Sequence, residues 1–193
     1  MRPLCLLKKM YLLFSVVFCF LTSFGLAQPL ANEPSSPVHA KQFDDWFYRC
    51  NDVSQVNDKP IQQCEVVQLQ QVKQGDETVT VLSIAIALTA PQKAGQKPSL
   101  LMTSITPLNV YLPSGLRFSI NGKDIFKMTY RNCNQAGCWA QQKLDNKALT
   151  ALKKSNEATG HFRLINGQNV NIKFSLKGFS SALNAFEKGE VLP

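Results

Sequence analysis

Leu116-Arg117-Phe118-Ser119-Ile120-Asn121-Gly122-Lys123-Asp124-Ile125-Phe126-Lys127-Met128-Thr129-Tyr130 is the stretch that decides the fold class. Asn-Gly is favoured in type I′ turns, where both central residues need positive φ, which Asn tolerates and Gly adopts freely. Past the turn, Phe126, Met128 and Tyr130 alternate with Ile125, Lys127 and Thr129, the period of a strand with one buried face. A hairpin of Leu116–Ile120 against Asp124–Tyr130 follows. A second Asn-Gly pair, Asn166-Gly167, separates His161–Ile165 from Val170–Leu176, where Val170, Ile172, Phe174 and Leu176 alternate with Asn171, Lys173 and Ser175. It predicts a second hairpin on the same kind of turn.

Working outward, Glu65–Val72 and Thr78–Leu88 are apolar-rich runs joined by Lys73-Gln74-Gly75-Asp76-Glu77, a third hairpin. Its second arm changes parity: Val79 and Val81 occupy odd positions, while Leu82, Ile84, Ile86 and Leu88 occupy even ones. A period-2 strand changes face only by inserting a residue, so a β-bulge is expected near Val81–Leu82. Helix is scarce. Asp145 can cap a short one carrying Ala148, Leu149 and Leu152, with Lys153 and Lys154 near its negative end. Ser180 can cap another, with Ala182, Leu183 and Phe186 on one face and Gly189 as its stop. Seven or eight short strands with two small helices predict an all-β antiparallel sandwich over residues 43–188.

The chain has 193 residues, 45% of them hydrophobic and 18% charged, with a formal net charge of +8. That composition suits one folded domain and excludes a charge-rich disordered chain. Residues 1–27 hold Arg2, Lys8 and Lys9, then an apolar run, then Gly25-Leu26-Ala27: the pattern of a cleaved secretory signal peptide. The apolar run is shorter than the roughly 20 residues of a membrane span. Phe18 before Cys19 does not suit a lipid anchor. Cleavage near Ala27 removes three basic residues, so the net charge falls from +8 to +5. Residues 28–42, with Pro29, Pro34 and Pro37, read as a flexible leader.

After the signal, four cysteines remain: Cys50, Cys64, Cys133 and Cys138. An even number in an exported chain points to disulfides. Of three possible pairings, Cys50–Cys64 with Cys133–Cys138 is expected, since each closes a short local segment. A zinc site lacks its paired short knuckles here. The spacing of Cys133 and Cys138 is not that of a redox C-x-x-C pair.

Catalytic signatures are missing. No nucleophile elbow, H-E-x-x-H or phosphate loop is present, no calcium loop has its spaced oxygen ligands, and no cofactor or metal is implied. His39 falls in the leader, and His161 reads as a solvated strand histidine. Asp44 and Asp45 are expected on opposite faces of a strand. Lys143, Lys147, Lys153 and Lys154 gather about the first helix, either as a solvated face or as a weak contact with an anionic membrane surface. Nucleic-acid binding lacks stacking aromatics among the lysines.

The chain resembles the invasion-associated locus B (IalB) family of exported bacterial proteins. The matching pieces are Asp45-Trp46 followed by Cys50 and Cys64, then Pro107-Leu108-Asn109-Val110-Tyr111-Leu112-Pro113-Ser114-Gly115. Further on come Cys133, Gly137-Cys138, and Ser175-Leu176-Lys177-Gly178-Phe179 leading into Ala182-Leu183. Asn109 stands where glycine is expected. The resemblance implies an immunoglobulin-like β-sandwich in the periplasm or at the cell surface, a role in host-cell entry, and no catalytic residues. Among the matching residues, Trp46 is expected to pack over the core and Gly115 to make a turn before Leu116. Gly178 and Phe179 are expected to pin the final helix to the sheet, and Trp139 is expected in the core rather than on a recognition surface.

The expected function is an exported, non-enzymatic protein acting through surface contact with an envelope or host component. An envelope enzyme or inhibitor is the alternative, which would gather carboxylates such as Asp44, Glu65 and Asp124 in a pocket. A small-ligand binder would need an apolar cavity.

Overall fold

The computed structural model describes residues 38–56, 59–89 and 95–192. The expected signal peptide, and the leader as far as residue 37, lie outside the described residues. The described residues form ten strands: β1 (Val38–Phe43), β2 (Trp46–Val56), β3 (Lys59–Gln74), β4 (Glu77–Leu88), β5 (Leu100–Thr106), β6 (Leu116–Ile120), β7 (Lys123–Asn134), β8 (Gly137–Lys143), β9 (Glu157–Arg163) and β10 (Asn169–Ser175). Among the described residues, two helices, α1 (Asn146–Lys154) and α2 (Phe179–Glu187), complete the all-β antiparallel architecture with one 3-10 turn at Leu112–Ser114.

Strand order is β1-β2-β3-β4-β5-β8-β7-β6-β9-β10, every pairing antiparallel. The corner is β7. Its first half, through Met128, pairs with β6, and its second half, from Thr129, pairs with β8. A strand that changes partners midway lets an antiparallel sheet fold over and bury its own inner face. The layers meet closely: a methyl group added at Gly160 of β9 would lie 3.1 Å from the Leu82 side chain of β4. Between them sit Trp46, Val66, Leu82, Ile84, Ile86, Met102, Leu116, Phe118 and Met128, all fully buried. Thr106 and Tyr130 share a hydroxyl hydrogen bond of 3.1 Å inside this core.

The β6–β7 hairpin turns on Asn121 (φ 49) and Gly122 (φ 75), with Ile120 opposite Lys123, as a two-residue type I′ connection requires. The bulge in β4 is also present. Gln70 faces Leu82 and Gln71 faces Thr80, which leaves Val81 as the extra residue that transfers the apolar series to the inner face. Leu88 is not part of that face; it stands half exposed at the strand end. Asp145 caps α1 by accepting from the Ala148 amide at 2.7 Å.

Several expectations need correction. The loop carrying Asn166-Gly167 is not a two-residue turn. Leu164 N–H donates to Gln168 C=O and Gly167 N–H to Leu164 C=O, so three residues make the connection. Only Gly167 there has positive φ, at 90°. The leader does not extend to residue 42, because Val38–Phe43 is a strand, with His39 in register with Cys50. Asp44 and Asp45 form the two-residue turn between β1 and β2 rather than part of a strand, and Asp44 takes φ 49. Ser180 does not cap α2. The cap is Gly178, and Ser180 donates instead to the Lys153 carbonyl at the end of α1. Gly189 (φ 62) closes α2 by donating to the Phe186 carbonyl.

Candidate functional site

The two disulfides join directly opposed residues of neighbouring strands, Cys50–Cys64 across β2 and β3 and Cys133–Cys138 across β7 and β8. With all four sulfurs in bridges, none is a thiolate ligand for zinc. Trp46 is fully buried, its ring centroid 4.9 Å from that of Phe179, and its indole N–H donates to the Ser175 carbonyl at 3.0 Å. The Gln68 amide donates to the same carbonyl at 3.1 Å and to Asp45 C=O at 2.9 Å. The joint ties β2, β3 and β10 together. Gln68 gave no sequence signal, since one glutamine among several on β3 looks like a solvated residue.

Gly178 explains how α2 is seated so near. At φ 82 its α-carbon approaches the Phe43 carbonyl so closely that an added Cβ would sit 1.9 Å from the oxygen. No other residue type fits there. Phe179 then enters the core beside Trp46, and Phe186 packs edge-on against Tyr48 with centroids 5.9 Å apart. Gly115 plays a different part. It adopts φ 66 and ψ 179, and an added Cβ would meet the Lys127 stem at 2.6 Å. It lets Lys127 lie across the backbone just before β6. Trp139 is not in the core. It is half-buried on the outer side of β8, between inward-facing Cys138 and Ala140, and its indole reaches the Asn134 side-chain oxygen at 3.3 Å.

The lysines singled out from the sequence divide by partner. Lys153 lies 3.8 Å from Glu187 of α2, while Lys147 and Lys154 are exposed on α1 and Lys143 ends β8. The carboxylates considered for a catalytic pocket sit on three separate elements. Glu65 pairs with Arg49 at 2.5 Å, Asp124 with Arg117 at 3.2 Å, and Asp44 lies in the β1–β2 turn.

What sequence reasoning did not find lies on the outer face of β6, β7, β9 and β10. A depression of about 810 Å³ there is bordered by Arg117, Asp124, Lys127, His161, Arg163 and Asn171. His161 is held at both ring nitrogens: Ser119 Oγ lies 2.7 Å from Nε2 and Asn171 Oδ1 lies 2.6 Å from Nδ1. The Asn171 oxygen only accepts, so Nδ1 donates to it, while the Ser119 hydroxyl is able to donate to or accept from Nε2. Strand periodicity explains the assembly. Arg117 and Ser119 share the outward side of β6, Arg117 faces His161 across the ladder, and His161 faces Asn171 of β10. Arg163 donates from Nε to Gly167 C=O at 3.3 Å, and Lys127 has no hydrogen-bond or ion-pair partner among the described residues. The only signal in the sequence was the shared parity of polar residues on three strands, which cannot be recognised before their register is known.

Residues 46–187 match the sequence family described as invasion associated locus B (IalB) protein. The fold is similar to that in the crystal structure of invasion associated protein B from Bartonella henselae, with a TM-score of 0.62 and 17% identity. That match covers 78% of this chain and 97% of the other. No curated protein matches the sequence.

Proposed function

This chain belongs to the invasion associated locus B family, and we propose that it is an exported protein working by binding rather than catalysis. Its partner in this reading is a component of the cell envelope or of a host surface. The observation that carries the reading is the open polar depression beside His161, where Ser119 and Asn171 hold the imidazole at both ring nitrogens before any partner arrives. A lining already ordered loses little side-chain freedom on binding. The signal-like first 27 residues and the two disulfides support passage to an oxidising compartment. The named role of relatives, invasion, is carried to this chain only as part of the proposal.

The test is capture on immobilised protein from envelope and host-membrane fractions, against a variant with Arg117, Lys127 and Arg163 all changed to Gln. Enrichment of the same component by wild type alone supports the reading; equal recovery on both surfaces counts against it. Protease treatment of intact and osmotically shocked cells separates surface from periplasm.

One observation favours a second reading. Ser119, His161 and Asn171 are linked in the order of a nucleophile, base and orienting group. Binding is preferred because Ser119 is only 4% exposed, with strands paired on both sides of it. Labelling of Ser119 by a fluorophosphonate, lost in His161→Ala, would reverse that preference.

A further inference from the structure

We infer that the end of the sandwich next to this depression is a docking surface for an anionic lipid bilayer. The inference rests on the proposed reading of the protein as one that acts by contact. Four large apolar side chains stay well exposed on two neighbouring loops: Leu108 at 48%, Tyr111 at 47%, Leu112 at 43% and Ile165 at 68%. The loops are tied into one piece. Tyr111 N–H donates to Arg163 C=O at 2.7 Å, Ile165 N–H to Asn109 C=O at 2.9 Å, and Val110 bridges Leu164 between them. Val110 is buried and Leu164 packs against the core, so the exposed residues stand on an anchored base. Ser114 braces the 3-10 turn by donating to Tyr111 C=O at 2.7 Å.

Charge selects the occupant. Arg163 is the cross-strand neighbour of Tyr111, and Lys127 lies over Gly115 at the end of the same loop. Arg117 is directly opposite Lys127, and Asp124, paired with Arg117, is the one carboxylate bordering the depression. Apolar side chains and a tyrosine beside unneutralised cations match the two demands of a bilayer interface, an acyl boundary to enter and anionic headgroups to face. Neither signal alone gives durable attachment; the two together do.

The test is co-sedimentation of the exported protein with phosphatidylcholine vesicles, with and without about a third phosphatidylglycerol. Wild type should bind the anionic vesicles and not the neutral ones. Removing each cation in Lys127→Gln/Arg163→Gln should weaken binding about fivefold, so about 25-fold for the pair. Leu112→Ser/Ile165→Ser should weaken it at least as much, while Lys147→Gln/Lys154→Gln on α1 should bind as wild type. All these side chains are exposed, and equal melting temperatures verify that the variants fold. Equal binding by wild type and both loop variants, binding that follows only the α1 lysines, or indifference to lipid charge would overturn the inference. Vesicle binding absent with capture of an envelope or host component retained overturns the docking surface alone; loss of both removes the contact reading too.

Discussion

The indole nitrogen of Trp46 lies 3.0 Å from the carbonyl oxygen of Ser175, a bond that spans 129 residues of sequence. The same oxygen receives the Gln68 amide, so one part-buried acceptor joins three strands through two donors. Either donor alone can satisfy it; neither leaves it orphaned.

Substitution at this joint should therefore be more than additive. Trp46→Phe keeps an aromatic ring against Phe179 and Gln68→Leu keeps volume, and each should cost about 1–2 kcal/mol in urea unfolding. The double variant, which removes both side-chain donors from a part-buried carbonyl, should exceed the sum by about 1 kcal/mol. Simple additivity would show that the shared acceptor has another partner.

Gly178→Ala and Gly122→Ala both place a side chain at positive φ, yet should differ widely. Gly122 has open space around it, so its variant should lose only the conformational cost of about 1–2 kcal/mol. At Gly178 the new methyl group meets the Phe43 carbonyl and α2 must lift from the sheet, which should cost more than about 3 kcal/mol. Near-ultraviolet circular dichroism should report the loss at once, since Trp46 and Phe179 separate. Equal melting points for the two variants would contradict the close approach.

Deleting Val81 should be tolerated. Without it Thr80 and Leu82 become neighbours, already opposite Gln71 and Gln70, so the ladder closes with the inner face unchanged. The cost should stay at about 1 kcal/mol. Deleting Ser83 instead sends Leu82 or the Ile84–Ile86 series to the outside and should abolish folding. Comparing soluble yield and melting temperature of the two deletions checks the register.

Alkali should destabilise the fold through two tyrosines. Burial raises the Tyr130 hydroxyl above its ordinary range, with the Thr106 hydrogen bond pulling weakly the other way. Burial and the nearby Glu190 charge raise Tyr48. In the unfolded chain tyrosine ionises at about pH 10. Below that both states hold their protons and stability is complete. Above it the unfolded chain releases protons first, so stability falls until the folded groups ionise as well. Melting temperature should thus decline above about pH 10, less steeply in Tyr130→Phe. A Tyr130→Phe slope equal to wild type would count against this origin.

Sequence periodicity carried much of the fold because its strongest features are local. The Asn121-Gly122 turn, the parity change at Val81, the Asp145 cap and both disulfides are each decided within a few residues or one hairpin. The second Asn-Gly pair misled because the dipeptide permits more than one loop length, and the tertiary setting chose three residues. β1 was hidden because Val38–Phe43 has no alternation of its own and pairs only once β2 exists. Ser180 looked like a cap until the proximity of Phe43 made Gly178 the entry to α2. The face around His161 and the exposed tip at Leu108, Tyr111, Leu112 and Ile165 depend on register between distant strands, which no local pattern encodes.

Each sulfur bridge closes a ring inside a single hairpin, with partners 14 and 5 positions apart. Cys50 can thus be locked before the second half of the chain has been delivered, and Cys133 finds its mate within one turn. A mismatched bridge would have to reach from β2 or β3 to β7 or β8, past at least two intervening strands in the sheet order. Short rings cost the least chain entropy to close, so the native pairing is the one that neighbouring thiols meet first.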